Sequence, residues 1–247
     1  MLNASDNGAV ATWAVVALKS SGDAKSRLRP YCSDEDRRSL YFLMARRVLE
    51  ALLAVPAIEK VLAVTASDDV ERFVRDLGGC VIRQPEDLGT QAAFAYALTC
   101  LESGGSLRPD RLLMISGDIP LITPLAVTEL LDRCGSQRGV AIVPDRRRQG
   151  TNALLCSPPG AVDPCFGADS LRRHWCAARA RGIDVRVIDS RALSLDIDDH
   201  EDLILLSQRL ASSRAGSDPD PGLTAWLSRH FACAAFRGGF IENADCA

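Results

Sequence analysis

Short apolar runs of strand length alternate with segments whose apolar residues recur at helical spacing, and the alternation holds from Thr12 to residue 211. The runs at 12–18, 60–65, 80–83, 112–116, 139–143, 152–156, 185–188 and 192–195 read as strands. The segments 34–55, 68–77, 89–102, 123–134, 170–181 and 199–211 read as helices. Ser33, followed three residues later by Asp36, marks the start of the first helix, and Gly78-Gly79 the end of the second. A chain in this order folds as a three-layer α/β sandwich, with a mostly parallel sheet between two helical layers. Ligands then bind beyond the carboxyl ends of the strands.

Beyond residue 211 the pattern degrades. Ser212 to Gly222 is rich in Ser, Asp, Pro and Gly, and the stretch around 223–236 is only weakly amphipathic. Residues 1–211 are therefore expected to form a single domain and 212–247 an appendage that need not be rigid. With 247 residues, 47% of them hydrophobic, the chain can bury one substantial core. A formal charge of −3 offers no general attraction to nucleic acid or an anionic membrane, so an anionic ligand must be held by local positive groups. Nine scattered cysteines with no Cys-x-x-Cys pair fit neither a disulfide framework nor a structural zinc site and point to the cytoplasm. The first eight residues lack a signal pattern, and no apolar run is long enough to span a bilayer. No long apolar face is left over once the core is assigned, so oligomeric state stays open, a homodimer included.

Local positive charge has one obvious home. Of 29 basic residues only three are Lys, and two of them, Lys19 and Lys25, fall with Arg27 in the loop after the first strand, Leu18-Lys19-Ser20-Ser21-Gly22-Asp23-Ala24-Lys25-Ser26-Arg27-Leu28. Compact ammonium groups beside small residues suit a polyphosphate, whose charge they neutralise as the α-phosphate is attacked. A solvated basic turn is the plainer alternative. There is no Walker or Gly-x-Gly-x-x-Gly pattern.

Acidic residues gather at two other strand ends. In Ser116-Gly117-Asp118-Ile119-Pro120, Pro120 keeps Ile119 extended and Asp118 projects at the ligand edge. In Leu195-Asp196-Ile197-Asp198-Asp199-His200-Glu201-Asp202, an extended chain turns Asp196 and Asp198 to the same face, where both can join Asp118 on one magnesium ion. Asp199 and Glu201 suit the start of the following helix, and His200 its surface. Thr151 in Gly150-Thr151-Asn152-Ala153-Leu154-Leu155, with Gly167 and Ser170 in Phe166-Gly167-Ala168-Asp169-Ser170, offers hydroxyls and a helix N-terminus to a small phosphate or carboxylate. Ordinary turn and cap chemistry explains those residues equally well, and His174 suits an anion or the core.

Taken in order, these segments resemble the CofC family, whose actinobacterial members are called FbiD. The likeness runs from about residue 12 to residue 211. It implies a nucleotide-diphospho-sugar-transferase-like fold of GT-A or Rossmann type. It also implies magnesium-dependent transfer of GMP from GTP onto 3-phospho-D-glycerate, phosphoenolpyruvate or 2-phospho-L-lactate, with release of pyrophosphate, in deazaflavin coenzyme biosynthesis. By the same likeness Lys19, Lys25 and Arg27 bind the GTP phosphates, Asp118, Asp196 and Asp198 hold the metal, and Thr151, Gly167 and Ser170 cradle the acceptor. The Ala, Arg and Leu-rich composition looks bacterial, which favours 3-phosphoglycerate or phosphoenolpyruvate over phospholactate. Hand-over of a labile product to the next enzyme of the pathway is expected on chemical grounds.

Where family members carry Gly-Leu-Asn-x-Ala-Leu this chain has Asp87-Leu88-Gly89-Thr90-Gln91-Ala92-Ala93-Phe94, and Gln91 is the candidate to replace the missing amide at the base or ribose. Two rival readings remain. One is a glycosyltransferase-like relative with the same loop, although those proteins carry Asp-Gly-Gly-Tyr where this chain has Gly-Thr-Asn-Ala-Leu-Leu. The other is a nucleotide-binding module without turnover. Molybdopterin guanylyltransferases fit less well, because their glycine-rich first loop is missing.

Overall fold

The computed structural model describes residues 10–20, 22, 25–104, 108–134, 138–212 and 221–231. The first eight residues, Ser21, Asp23 and Ala24 of the basic loop, most of the linker-like stretch and the end of the weakly amphipathic one lie outside the described residues. Seven strands form one sheet: β1 (Thr12–Ala17), β2 (Ile58–Thr65), β3 (Cys80–Arg83), β4 (Arg111–Ser116), β5 (Gly139–Pro144), β6 (Thr151–Ser157) and β7 (Asp184–Val187). Their spatial order is β3-β2-β1-β4-β6-β5-β7. All pairings are parallel except those of β6, which runs against both β4 and β5. The expected mostly parallel sheet is what forms.

The central strands show why both faces must be covered. Along β1, Ala14 and Val16 enter one apolar cluster, and Trp13 and Val15 enter another on the opposite face. β4 divides in the same way, Leu113 and Ile115 against Leu112 and Met114, as a two-residue period requires. On the first face lie α1 (Asp34–Leu53), α2 (Asp68–Asp76) and α4 (Pro124–Cys134); on the second lie α3 (Thr90–Ser103) and α5 (Ser170–Ala180). Ser33 caps α1 by accepting from the Asp36 N–H at 3.1 Å.

One expected strand is absent. Residues 192–195 make a turn instead, with the Ser194 N–H on the Ser190 carbonyl at 2.9 Å and the Leu193 N–H on the same carbonyl at 3.3 Å. Their apolar side chains mimicked a strand because Leu193 and Leu195 are fully buried, but in two different clusters and without a neighbouring strand to pair with.

A third cluster lies outside the sandwich proper. Leu28 and Cys32 from the chain after the basic loop meet Leu40 and Met44 of α1, Leu195 and Ile197, and Leu203 and Leu206 of α6 (His200–Ala211). Leu223, Trp226 and Leu227 complete it from α7 (Pro221–Phe231), so the segment beyond residue 211 includes a helix packed on α1 and α6.

Candidate active site

β1 has β2 on one side and β4 on the other, so the connections leaving β1 and β4 diverge and open a crevice at their carboxyl ends. The basic loop leaves β1 there and Gly117-Asp118 leaves β4. The two strand ends approach closely at this point: a Cβ on Gly117 would run into the Leu18 side chain and stand 3.4 Å from Val16 Cγ1. Glycine is what lets Asp118 face the loop.

Lys25 crosses the crevice. It sits in the left-handed region at φ 56°, just before a single 3-10 turn at Ser26–Leu28. Its almost wholly buried ammonium pairs closely with Asp118 Oδ2 and stands 3.5 Å from Asp198 Oδ1. Arg27, largely exposed, reaches Asp198 Oδ2 at 3.6 Å. Burial alone would push the Lys25 pKa down, but Asp118 and then Asp198 outweigh it, so the pKa is raised and the group stays an ammonium.

Asp196 lies deeper. Burial first, and then the charges of Asp118 and Asp198, push its carboxyl up to about 7. Asn152, the second residue of β6, donates from Nδ2 to Asp196 Oδ1 at 3.3 Å and to the Leu193 carbonyl at 3.0 Å. The backbone also ties the two acidic segments together, the Ile197 N–H donating to the Asp118 carbonyl at 3.2 Å. Residues 195–198 alternate strictly, Leu195 and Ile197 buried and the two acids turned toward the crevice side.

Behind these acids sits Asp202, buried on the first turn of α6. Its Oδ2 accepts the N–H of Asp198 at 2.9 Å and of Asp199 at 3.0 Å, and its Oδ1 accepts from Arg146 Nε at 2.6 Å. Asp199 returns the bond as N-cap, accepting the Asp202 N–H at 3.1 Å, and pairs with Arg147 at 2.7 Å. The β5–β6 hairpin thus grips the acidic segment through two consecutive arginines. The His200 ring stacks on Tyr31 at 4.1 Å.

On the other side of Asn152, Thr151 Oγ1 is 3.1 Å from His174 Nδ1. His174 Nε2 accepts the Cys165 N–H at 2.7 Å, which fixes the neutral tautomer with its proton on Nδ1, donating to Thr151. Burial, and secondarily Arg173, lowers the His174 pKa to about 4. Gly167 at φ 110° makes the turn into α5, and its carbonyl accepts the Ser170 N–H at 3.2 Å. The fully buried Ser170 hydroxyl finds no hydrogen-bond partner among the described residues.

Of the ten residues singled out from the sequence, Lys25, Arg27, Asp118, Asp196 and Asp198 converge, with Thr151 one residue from Asn152 on the same strand. Lys19 is exposed on the loop, which is anchored by the Tyr41 hydroxyl donating to the Lys19 carbonyl at 2.7 Å. Gln91 is exposed on the first turn of α3; Asp87, four residues earlier, joins that region to the basic loop by accepting the Ser20 N–H at 3.1 Å. Sequence reasoning gave no site role to Asn152 or to Asp202. An amide inside a run as apolar as Ala153-Leu154-Leu155 was the available signal for the first; nothing local marked the second.

The donor set suits a hard divalent cation: three carboxylates gather beside the Lys25 ammonium and the Arg27 guanidinium, and burial, followed by the charges of Asp118 and Asp198, raises the Asp196 pKa. Among the described residues, however, no three His, Cys, Asp or Glu side chains already stand close enough to form a metal cage.

Residues 12–209 match the model of the family described as guanylyl transferase CofC like. The chain belongs to the CofC family. Relatives that align with most of this chain carry guanylyltransferase names. A phosphoenolpyruvate guanylyltransferase of Conexibacter woesei is 32% identical over 89% of this chain and 98% of its own. That of Rubrobacter xylanophilus is 38% identical over 80% and 94%. The fold has a solved counterpart in a candidate nucleotide-diphospho-sugar transferase from Desulfovibrio desulfuricans G20, with a TM-score of 0.70 and 19% identity over 90% of this chain and 95% of that one. Among the described residues of this chain no helix is long and apolar enough to cross a membrane.

Proposed function

We propose that this CofC protein transfers GMP from GTP to a three-carbon phosphoacid in the cytoplasm, with magnesium, as a step of deazaflavin coenzyme assembly. Phosphoenolpyruvate is the favoured acceptor, because both relatives compared above carry that name, with 3-phospho-D-glycerate next and 2-phospho-L-lactate third. The observation that carries the reading is the meeting of Lys25 with Asp118 and Asp198, beside Asp196, at the crevice between β1 and β4.

The reaction needs little proton chemistry. A phosphate oxygen of the acceptor attacks the α-phosphorus of GTP, the bond to the bridging oxygen of the β-phosphate breaks, and pyrophosphate departs with the electron pair. The acceptor oxygen is already anionic, so placement and neutralisation of charge dominate. Lys25 and Arg27 stand where positive charge offsets that of the triphosphate, with Lys19 available from the exposed part of the loop. Asp118, Asp196 and Asp198 would hold magnesium, which supplies Lewis-acid neutralisation of phosphate oxygens when bound. Thr151, Gly167 and Ser170 would cradle the acceptor, a role in keeping with the buried Ser170 hydroxyl that lacks a partner among the described residues and the turn at Gly167, and Gln91 would contact the base or ribose.

The test is pyrophosphate release and product mass with GTP, ATP, CTP and UTP against each phosphoacid, with a deazaflavin-transferring enzyme present to trap a labile product. Release with GTP and one acceptor, abolished in Asp118→Ala, is expected. GTP binding with silence in every combination would instead favour a binding module.

A further inference from the structure

The residues that alternate with the site carboxylates, and those that follow the site cations, share one apolar cluster. Leu195 and Ile197 flank Asp196, and Ile197 precedes Asp198; Leu28 follows Arg27 directly. All three are fully buried. The cluster also takes in Leu223, Trp226 and Leu227 of α7, buried to within 4% of complete. The helix is also pinned in register. Trp226 Nε1 donates to the Asp36 carbonyl at 3.2 Å, and His230, stacked on Trp226 at 4.3 Å, pairs through Nε2 with Asp36 Oδ1 at 2.9 Å. Asp36 lies on the first turn of α1, a few residues after the basic loop ends.

The family match stops at residue 209, so α7 lies outside it. We infer that α7 is a positioning element of the active site: it supplies the back wall that fixes the Lys25–Arg27 turn and the Asp196–Asp198 segment relative to each other. Leu28, Leu195 and Ile197 share this cluster with Leu40 and Met44 of α1 and Leu203 and Leu206 of α6, and α7 packs on both of those helices. A side chain lost from α7 therefore opens space in the cluster that both segments enter, and small displacements there are costly to in-line transfer. The inference rests on the proposed transfer reaction for its kinetic consequence, but its structural consequence is independent of it.

The experiment uses the full chain with Trp226→Ala, the conservative Trp226→Phe, and Leu131→Ala on α4 as a destabilised control far from the cluster. Amide hydrogen exchange is followed at 26–32 and 195–199 below the melting temperature of every variant, and kcat and KM for GTP are measured alongside. Trp226→Ala is expected to raise exchange in both segments together and to lower kcat/KM about tenfold or more, as an ångström-scale misplacement does. Trp226→Phe should restore most of both, and Leu131→Ala should change neither while matching the loss of melting temperature. Unchanged exchange in the two segments of Trp226→Ala overturns the inference, as does raised exchange with wild-type kcat and KM. If the unaltered protein releases no pyrophosphate, the transfer reading fails, and the exchange data alone still decide whether α7 holds the two segments.

Discussion

Acid should unfold this protein partly through one imidazole. His174 is fully buried, its Nε2 already accepts the Cys165 N–H, and a second ring proton would point at that donor. Its pKa falls from 6.5 to about 4. For a base depressed on folding, the native state binds fewer protons than the unfolded chain between those values. The contribution is therefore complete above about pH 6.5 and is lost as pH falls toward about 4. Linkage with these two values removes about 2 kcal/mol between about pH 7 and about pH 4.5, at a slope approaching 1.4 kcal/mol per pH unit. The comparison is with His174→Gln, whose amide can still accept from Cys165 and donate to Thr151 but cannot titrate. Urea unfolding at a series of pH values gives both stability curves. Other groups, including Asp196 with its opposite shift, titrate in both proteins and cancel in the difference. The wild-type advantage near neutrality should shrink by about 2 kcal/mol by about pH 4.5. Parallel curves, or a native imidazole that titrates near its ordinary value by NMR, would refute the reasoning.

Lys25→Met should leave Asp118 without its buried counter-ion and lower the rate of pyrophosphate release by about a hundredfold or more, read under GTP saturation; a loss under threefold would remove Lys25 from the charge-bearing set. Asp202→Asn keeps the shape but cannot serve Arg146 and two backbone N–H groups equally. It should cost about 3 kcal/mol by denaturant unfolding, the expense of a broken buried ion pair. Asn152→Ala removes the donor to Asp196 and should raise that carboxyl further, so the pH at which its carbon resonance titrates moves up from about 7. A downward move would show that the amide does not hold the charged form.

Most of the sandwich was legible because its strands are short, apolar and bounded by Gly, Pro or caps, and its helices carry their apolar residues on one stripe. The reading failed at 192–195, where burial in two clusters imitated a strand; periodicity reports burial, and only a partner strand makes a ladder. The carboxylates were legible as a same-face pair because buried Leu195 and Ile197 force the alternation whether or not the segment is a strand. Asp202 was hidden, since a helix cap and a carboxylate that holds Asp198 in place have the same sequence signature. The packing of α7 was equally hidden: Leu223, Trp226 and Leu227 form a stripe too short to stand out beside a run of Ser, Asp and Pro.

β6 alone runs against its neighbours, and this has a consequence for how such a site can change over time. Lys25 and Asp118 are borne by the first half of the chain at the ends of parallel strands. Thr151 and Asn152 enter the same edge from the start of the reversed strand, delivered by a hairpin of six residues or fewer. Substitutions in that hairpin that spare Arg146 and Arg147 can reshape the Thr151 wall of the crevice while the wall of Lys25 and Asp118, anchored in a separate stretch of sequence, keeps its dimensions. Two walls drawn from separate stretches of sequence are free to diverge at different rates.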